Sequence, residues 1–283
     1  MSQRGGRHRG SNRQQAQPRV AYPLPKDTNI LVKSYVERCL NYGLRIERLL
    51  LCKEGTWDLT QQAKKRLGIR SFQHPELVAL LDAYRHRWEA LLAELRGHGW
   101  AVKPFPMYAD SRVVVGLGSE SVLETNIRLH RIYGFPIIPG SALKGLARAY
   151  AKLVAHVKEE ERVFQEVFGT ASPEARAGKV IFLDAIPADP KKLKLELDVM
   201  NPHYSEYYRS GNTPPADYLN PVPIFFLTVA KDSEFLFAVA SEEADLARQA
   251  EMWLRGGLTE LGIGAKTTTG YGFFTGGSHG TTQ

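Results

Sequence analysis

Residues 139–157 read PGSALKGLARAYAKLVAHV, and their apolar side chains recur at a spacing of three and four residues. This spacing predicts a helix over residues 141–157 with one apolar face. The side chains on that face are Leu143, Leu146, Ala147, Tyr150, Leu153 and Val154. Gly140 lets the chain turn sharply before the helix, and Ser141 is expected to cap it. A helix therefore begins abruptly, directly after the aromatic and β-branched segment 132–138.

Strand signals surround this helix on both sides. Short β-branched or aromatic runs bounded by turn residues predict strands at 113–115, 180–186, 222–230, 234–240 and 271–274. Residues 242–261 predict a second helix, and the turn at 231–233 predicts a hairpin between the strands that flank it. From residue 112 the order is strand, helix, strand, strand, helix, strand. The predicted fold class is therefore α+β with a ferredoxin-like, RRM-like core.

The sequence pattern divides the chain into three parts. Residues 1–26 form a basic tail with no apolar face, which predicts disorder. Residues 27–110 are predicted to be mainly helical. The helices expected there span residues 27–52 and 74–96. Residues 111–283 form the predicted core, and the proline- and glycine-rich connection 187–221 is expected to be an inserted binding loop outside that core.

Positive charge is concentrated at the N-terminus. The formal net charge is +7, and the first nineteen residues supply five of these charges because they hold five arginines and no acid. These are Arg4, Arg7, Arg9, Arg13 and Arg19. The other 32 of the 37 basic side chains stand against 30 acidic ones, so the rest of the chain is nearly balanced. Arg-Gly segments often settle on RNA phosphates, and a solubilising tail is the open alternative.

Export and membrane insertion are not expected. The two cysteines, Cys39 and Cys52, are too far apart for a CxxC pair, and we expect them to be reduced and buried. No apolar run reaches membrane-spanning length, and no apolar segment follows the N-terminal charges as in a signal peptide. We therefore expect a cytoplasmic protein with no membrane partner.

The segment 139–148, PGSALKGLAR, has the features of a phosphate-binding helix start. Amides of the first helical turn have no partner within the helix, and the helix dipole places partial positive charge there. Lys144 lies one turn into the helix and Arg148 one turn further on the same face, while Gly145 leaves room for another backbone. The open alternative is an ordinary capped surface helix with both cations solvated.

The segment 262–272, GIGAKTTTGYG, surrounds one lysine with glycines and threonines. Glycines permit close backbone approach, while Lys266 and the hydroxyls of Thr267 and Thr268 can meet phosphate oxygens. The spacing of a Walker P-loop is absent, and no strand–turn–helix unit for a dinucleotide follows. The segment predicts contact with a sugar–phosphate backbone or, alternatively, a tight structural turn.

Together the two motifs resemble the RAMP superfamily of CRISPR RNA-binding proteins, and the blocks between them narrow the resemblance. Residues 115–138, the segment 178–185 (GKVIFLDA) and the block 198–204 (DVMNPHY) are similar to the subunit-six family of the Cmr (type III-B) CRISPR effector complex. The resemblance covers residues 110–275. It implies a non-catalytic antiviral subunit that caps the backbone filament near the 3′ end of the guide RNA (crRNA). Its implied partners are crRNA, target RNA and other Cmr subunits, and a different subunit cuts the target.

The same resemblance implies which residues lie near RNA. They are Ser141, Lys144 and Arg148 in the first motif and Gly264, Lys266 and Thr267 in the second. Thr268 and Arg128 are expected to extend this polar and basic surface. His203 and Tyr204, in the segment NPHY, are expected to contact RNA as well, with the tyrosine stacking on a base or packing against a neighbouring subunit.

No catalytic residue, metal site or cofactor is predicted. None of the eight histidines shows metal-ligand spacing, and Asp184 and Asp198 at strand ends are expected to bond loop amides instead of a metal. Related RAMP nucleases cleave RNA without metal, so one alternative is an endoribonuclease that uses His130 or His203 as its acid–base group. Another alternative is a purely structural assembly subunit, because a helical N-terminal region suits docking onto a partner.

Overall fold

The computed structural model describes residues 19–55, 59–60, 63, 70–119, 121, 125–171, 174–201 and 223–277. Its helices are α1 (Lys26–Val32), α2 (Tyr42–Arg48), α3 (Pro75–Gly97), α4 (Gly140–Leu153), α5 (Arg162–Phe168) and α6 (Ala244–Gly256). Short turns of 3₁₀ or π-helix span Val36–Arg38, Gly257–Leu261 and Thr267–Thr269. The strands are β1 (Val20–Ala21), β2 (Cys52–Lys53), β3 (Arg70–Ser71), β4 (Ala101–Ala109), β5 (Gly169–Thr170), β6 (Arg176–Ala177), β7 (Ile181–Phe182), β8 (Ile186–Pro187), β9 (Lys194–Met200), β10 (Ile224–Val229), β11 (Glu234–Ser241) and β12 (Phe274–Thr275).

The core sheet has the strand order β12-β4-β11-β7, and β8 pairs with the other end of β11. Every neighbouring pair is antiparallel, and β4 and β11 pair over eight positions. Helices α4 and α6 pack against each other and against this sheet. In chain order β4, α4, β7 with β8, β11, α6 and β12 give the ferredoxin-like order, which confirms the predicted α+β class.

The first strand of this core, β4, was not predicted, and the core therefore begins before residue 111. Alternate residues of β4 face inward, so that Phe105 and Met107 are buried while Pro104 and Pro106 are exposed. Prolines argue against a strand because they cannot donate a ladder hydrogen bond. Here β12 pairs with β4 only at its last two residues, so the prolines lie where no described strand needs their N–H groups. In the region 27–110, predicted to be mainly helical, residues 101–109 form a strand instead.

The strands predicted at 222–230 and 234–240 exist, but the hairpin predicted between them is wrong. β10 pairs with β9 over six positions, whereas β11 lies in the core sheet. Asp232 has a left-handed φ of 64° and donates its N–H to the carbonyl oxygen of Ala109 at 2.7 Å. The turn therefore carries the chain from one sheet to another.

The second sheet, with the order β10-β9-β3, joins the N-terminal part to the core. Strand β9 lies within the connection 187–221, and its Leu195 is fully buried together with Leu193. The prediction that this connection lies outside the core is therefore wrong for β9. Residues 202–221 of the connection lie outside the described residues. The alternation of charged and apolar residues in KLKLEL, residues 192–197, is the strand signal that the many prolines and glycines obscured.

The N-terminal helices differ in how well they were predicted. Helix α3 confirms the helix predicted over 74–96. The helix predicted over 27–52 is broken into α1, a 3₁₀ turn and α2. Asn41 ends the break, because its side chain caps α2 by accepting from the N–H of Leu44 at 2.9 Å while its amide donates to the carbonyl of Ile132 at 2.7 Å. A long-range contact thus decides where the helix restarts.

The predicted basic tail over residues 1–26 is described only from Arg19. Residues 1–18, with the other four arginines, lie outside the described residues. Strand β1 pairs with β2, and α1 begins at Lys26. The predicted disorder is therefore wrong for residues 20–26.

Candidate nucleic-acid interface

Helix α4 begins at Gly140, one residue before the predicted cap. A Cβ at Gly140 would lie 2.0 Å from the carbonyl oxygen of Phe182, so only glycine fits there. The N–H of Gly140 donates to Oδ1 of Asp184 at 2.7 Å, and the N-cap residue Pro139 makes no side-chain cap bond. The prediction that Ser141 caps the helix is therefore wrong. Asp184 caps it from the segment between β7 and β8.

A break in the strand predicted over 180–186 makes this cap available. The prediction gave one strand, but β7 and β8 are separate pieces, and between them Ala185 pairs with Ile138. A carboxylate at a helix N-terminus interacts favourably with the helix dipole. Because Asp184 already occupies the first amide and brings a negative charge, the end of α4 is less favourable for a phosphate than the sequence indicates.

The flank of α4 carries the predicted contact residues of the first motif. Ser141 and Arg148 are exposed, Lys144 is half-buried, and their spacing places all three on one face. Arg148 donates to Oε1 of Glu159 at 3.1 Å, and Lys152 donates to the same oxygen at 2.7 Å. Bonds from Lys152 and Arg148 hold the pKa of the Glu159 carboxyl below its ordinary value. Lys144, in contrast, has no carboxylate partner among the described residues.

The glycine-rich segment 262–272 lies against residues 112–114. A Cβ at Gly264, which has a φ of 92°, would lie 2.2 Å from the carbonyl oxygen of Val114. The N–H of Ala265 donates to that same oxygen at 2.8 Å, and the N–H of Gly272 donates to the carbonyl of Arg112 at 2.8 Å. Close packing of two backbones thus fixes both ends of the loop.

Lys266 is the residue that this loop presents. It has a left-handed φ of 65°, and its carbonyl accepts from the N–H groups of Thr269 at 3.0 Å and Tyr271 at 3.2 Å. Its Nζ lies 5.3 Å from the ring centroid of Phe226, within the range of a cation–π interaction. The ring positions the ammonium without neutralising its charge. Of the predicted neighbours, Thr267 is half-buried and Thr268 is exposed.

Arg128 is hydrogen-bonded to residues near both motifs. Its N–H donates to the carbonyl of Val115 at 2.7 Å, and its own carbonyl accepts from the N–H of Ile137 at 3.3 Å. Val115 adjoins the residues that hold the glycine-rich loop, and Ile137 precedes the start of α4 by three residues. Backbone hydrogen bonds therefore connect the two motifs through Arg128, whose exposed side chain has no carboxylate partner among the described residues.

The sequence did not reveal the side-chain network beneath Lys266. Tyr271 donates its hydroxyl to Oδ2 of Asp198 at 2.5 Å, and Arg112 contacts Asp198 at 2.9 Å and Glu196 at 3.2 Å. Burial raises the pKa of the Asp198 carboxyl, but the bond from Tyr271, the N–H of Val199 and Arg112 outweigh burial and hold this pKa below its ordinary value. Burial and the same bond raise the pKa of the Tyr271 phenol. Tyr271 and Asp198 stand in blocks that the sequence did mark, but their pairing depends on strand register.

His130, the first alternative catalyst, is held by its surroundings. Its Nδ1 accepts from the N–H groups of Ile132 at 3.2 Å and Tyr133 at 3.3 Å. The ring packs against Tyr84 and Tyr133. Burial and the nearby Arg87 lower the pKa of His130, although Asp184 opposes them. Nδ1 is therefore engaged as an acceptor, which favours the neutral ring with its proton on Nε2.

The described residues test the remaining predictions only in part. His203 and Tyr204 lie outside the described residues. Asp184 accepts from the N–H of Gly140 at the start of α4, and Asp198 accepts from the N–H of Val199 within β9. Both therefore bond backbone amides, but these are not the loop amides that were predicted. In the part of the chain that the structure describes, no group of three or more His, Cys, Asp or Glu side chains has the arrangement of a metal site. None of the helices described combines the length and apolar character that a membrane span requires.

Comparison with known families agrees with this fold and with the positions of the motifs. The family model of the RAMP superfamily matches residues 107–275. The chain belongs to the RAMP superfamily. The match begins within β4 and ends at β12, so it covers both motifs and all of the core sheet except the first six residues of β4. The predicted resemblance to this superfamily is confirmed.

Two relatives show a similarity that is more specific than the superfamily. The chain is 40% identical to the CRISPR system Cmr subunit Cmr6 of Pyrococcus furiosus over 222 residues, which cover 58% of this chain and 64% of that protein. It is 25% identical to the CMR subunit Cmr6 of Saccharolobus solfataricus over 183 residues, covering 64% of this chain and 60% of that one. The chain thus spans less than two thirds of the length of either relative.

A solved structure supports the same fold. A chain in the cryo-EM structure of the type III-B Cmr-beta complex bound to cognate target RNA aligns with a TM-score of 0.59 and 24% identity. The alignment covers 78% of this chain and 74% of that one. At this identity the similarity concerns the fold.

Proposed function

We propose that this RAMP protein is a guide-RNA-binding subunit of a type III-B CRISPR ribonucleoprotein used in defence against foreign RNA. It holds the sugar–phosphate backbone of crRNA on the 3′-end side of the complex, and it does not cut RNA itself. Its similarity to two Cmr6 subunits supports this role, as does the presence of a chain with the same fold in an RNA-bound type III-B complex. Its partners are then crRNA, target RNA and neighbouring Cmr subunits.

One observation supports the proposed RNA-binding surface. Arg128, Lys144 and Lys266 keep charges that no described carboxylate neutralises, and they lie on segments that backbone hydrogen bonds join. Arg148, in contrast, is bonded to Glu159. Exposed ion pairs of this kind contribute little energy, so a phosphate can replace the carboxylate at small cost. Three unneutralised cations suit contact with the phosphates of an RNA backbone, and such contacts carry no sequence information.

The Asp184 cap refines the path of the RNA along this surface. A phosphate over the end of α4 would meet the carboxylate of Asp184, whereas the flank offers Lys144, the open position at Gly145 and, beyond it, Arg148. The RNA backbone therefore runs along the flank of the helix toward Arg128 and Lys266. This path needs no binding energy from the helix dipole.

Histidine catalysis is the less favoured alternative. A general base needs a ring nitrogen within reach of the proton that it removes. In His130 the basic nitrogen Nδ1 already accepts from two backbone amides, which leaves Nε2–H as a donor. His203 is the remaining candidate. Incubation of the purified chain with RNA in EDTA tests this alternative, since guide-length products that disappear in His203→Ala would overturn the non-catalytic role.

An assembly role accompanies RNA binding in this proposal. No residue of α1 is buried, and Ile30, Leu31 and Tyr35 are 71%, 67% and 59% exposed. Apolar side chains exposed together often mark a protein contact. They favour docking of the N-terminal part onto a neighbouring subunit, as the alternative of an assembly subunit predicted.

Binding of a labelled single-stranded RNA by the variants Lys144→Ala and Lys266→Ala tests the RNA-binding surface. Each variant should weaken binding for every RNA sequence, because contacts to phosphates do not depend on the bases. Lys179→Ala is the matched control, since its ammonium is paired with Glu166 and Glu243 and its loss should leave binding unchanged. Unchanged affinity for both test variants at low salt would contradict the proposal.

A further inference from the structure

Phe226 and Asp198 lie beneath Lys266, and neither is among the residues predicted to touch RNA. They face each other as cross-strand neighbours on β10 and β9. The glycine-rich loop contacts both of them. Lys266 places Nζ 5.3 Å from the centroid of the Phe226 ring, and Tyr271 donates its hydroxyl to Asp198 at 2.5 Å. One cross-strand pair therefore supports two side chains of the loop, Lys266 and Tyr271.

Tyr271 also fixes the backbone that carries Lys266. Its N–H donates to the Lys266 carbonyl at 3.2 Å and closes the turn. Within that turn Lys266 has a left-handed φ of 65°, which is unfavourable for a residue with a side chain. Such a conformation persists only where surrounding contacts hold it. Tyr271 is bonded to Lys266 at its backbone and to Asp198 at its hydroxyl, so it transmits the position of the sheet to the lysine.

We propose that Tyr271 and Asp198 form a latch that positions the Lys266 ammonium for the RNA backbone, an inference that rests on the proposed function. Arg112 supports the latch through its own contact with Asp198 at 2.9 Å. Tyr271 and Asp198 are positioning residues, because they act through Lys266 and do not touch RNA. Without the phenol–carboxylate bond the turn is held less firmly, and the ammonium spends less time over the Phe226 ring.

A double-mutant cycle tests the latch directly. The full chain, Tyr271→Phe, Lys266→Met and the double variant are titrated against a fluorescein-labelled single-stranded RNA of mixed sequence. We expect Tyr271→Phe and Lys266→Met each to weaken binding by about fivefold, and the double variant to bind no more weakly than Lys266→Met alone. This non-additivity distinguishes a residue that acts through Lys266 from one that contacts RNA or merely stabilises the fold.

Tyr150→Phe is the matched control. It also removes a phenol–carboxylate bond, from Tyr150 to Glu260 at 3.0 Å, which involves neither Lys266 nor Asp198 although Glu260 lies two residues before the segment 262–272. It should leave RNA affinity unchanged. Amide hydrogen exchange provides a second readout, since residues 262–272 should exchange faster in Tyr271→Phe and not in Tyr150→Phe. If Tyr271→Phe does not fold, Asp198→Ala replaces it in the cycle, because it removes the acceptor of the Tyr271 phenol.

The outcomes separate the latch from the proposed function. If Lys266→Met weakens binding while Tyr271→Phe has no effect, the latch is wrong and the RNA-binding surface stands. If Tyr271→Phe weakens binding equally with and without Lys266, Tyr271 acts on its own and the latch is again wrong. If Lys266→Met leaves affinity unchanged, the placement of RNA at Lys266 fails and the latch fails with it.

Discussion

Gly145 offers a test in which stability and RNA binding should change in opposite directions. It lies inside α4, is exposed, and an added Cβ would meet no atom within 4 Å. Glycine in an exposed helix interior costs about 1 kcal/mol relative to alanine, and nothing in the described part of this chain requires it. Gly145→Ala should therefore stabilise the free protein by about 1 kcal/mol and raise its unfolding midpoint by roughly 2 °C.

RNA binding should respond in the other direction. If the sugar–phosphate backbone passes along the flank of α4, the space at Gly145 is where it comes nearest to the helix. A methyl group forced into a close contact costs about 1–2 kcal/mol, which corresponds to roughly a tenfold loss of affinity. Fluorescence anisotropy with a labelled single-stranded RNA measures this loss, and a thermal melt of the same sample measures the stability.

Gly97→Ala is the control for this prediction. Gly97 is also an exposed helical glycine with no atom within 4 Å of an added Cβ, but it ends α3. It should not change RNA affinity. If Gly145→Ala is more stable and binds RNA as tightly as the original chain, the RNA does not run along this flank and the reasoning is refuted.

Two further predictions concern salt and pH. Three cations that release counterions from single-stranded RNA should give a slope of about −2 in log affinity against log salt, and Lys144→Ala or Lys266→Ala should each reduce its magnitude by about 0.7; a slope near zero at all salt concentrations would contradict phosphate contact. The pKa of His130 is lower in the folded chain than its ordinary value of 6.5. The neutral ring therefore contributes to stability above pH 6.5, and this contribution is lost as the pH falls through the lowered pKa of the folded chain. Urea unfolding from pH 7.5 to 5 should therefore show a decline that is smaller in His130→Asn, which keeps an acceptor in place of Nδ1 and does not titrate; equal declines in both proteins would show that His130 is not the group responsible.

Local patterns predicted most of the secondary structure but not its pairing. The long helix α3 and the helices α4 and α6 follow from apolar spacing, which is a property of each segment alone. The partner of β10 does not, because a three-residue turn fits a hairpin and also fits a change of sheet. Strand β4 was not predicted. Its two prolines are unfavourable inside a sheet, and only the strand pairing shows that no described strand needs their N–H groups.

For the candidate site, the sequence pointed to the lysines but not to the contacts around them. Lys144 and Lys266 stand out because glycines surround them in the sequence. The cap from Asp184 lies 44 residues away from Gly140, and the contact of Tyr271 with Asp198 spans 73 residues, so neither can be inferred from spacing. The effect of Asp184 on the end of α4 and the partner of Arg148 depend on tertiary contacts, and these decide which cations keep a free charge.

Lysine acetylation followed by mass spectrometry tests most directly whether the two motifs bind one RNA. The protein is treated with an acetylating reagent at increasing concentrations of single-stranded RNA, and the exposed Lys33 serves as the reference. Lys144 and Lys266 should become protected together, with the same half-maximal RNA concentration, while Lys33 keeps its reactivity. Protection of only one of the two, or of both at clearly different RNA concentrations, would contradict a single RNA-binding surface.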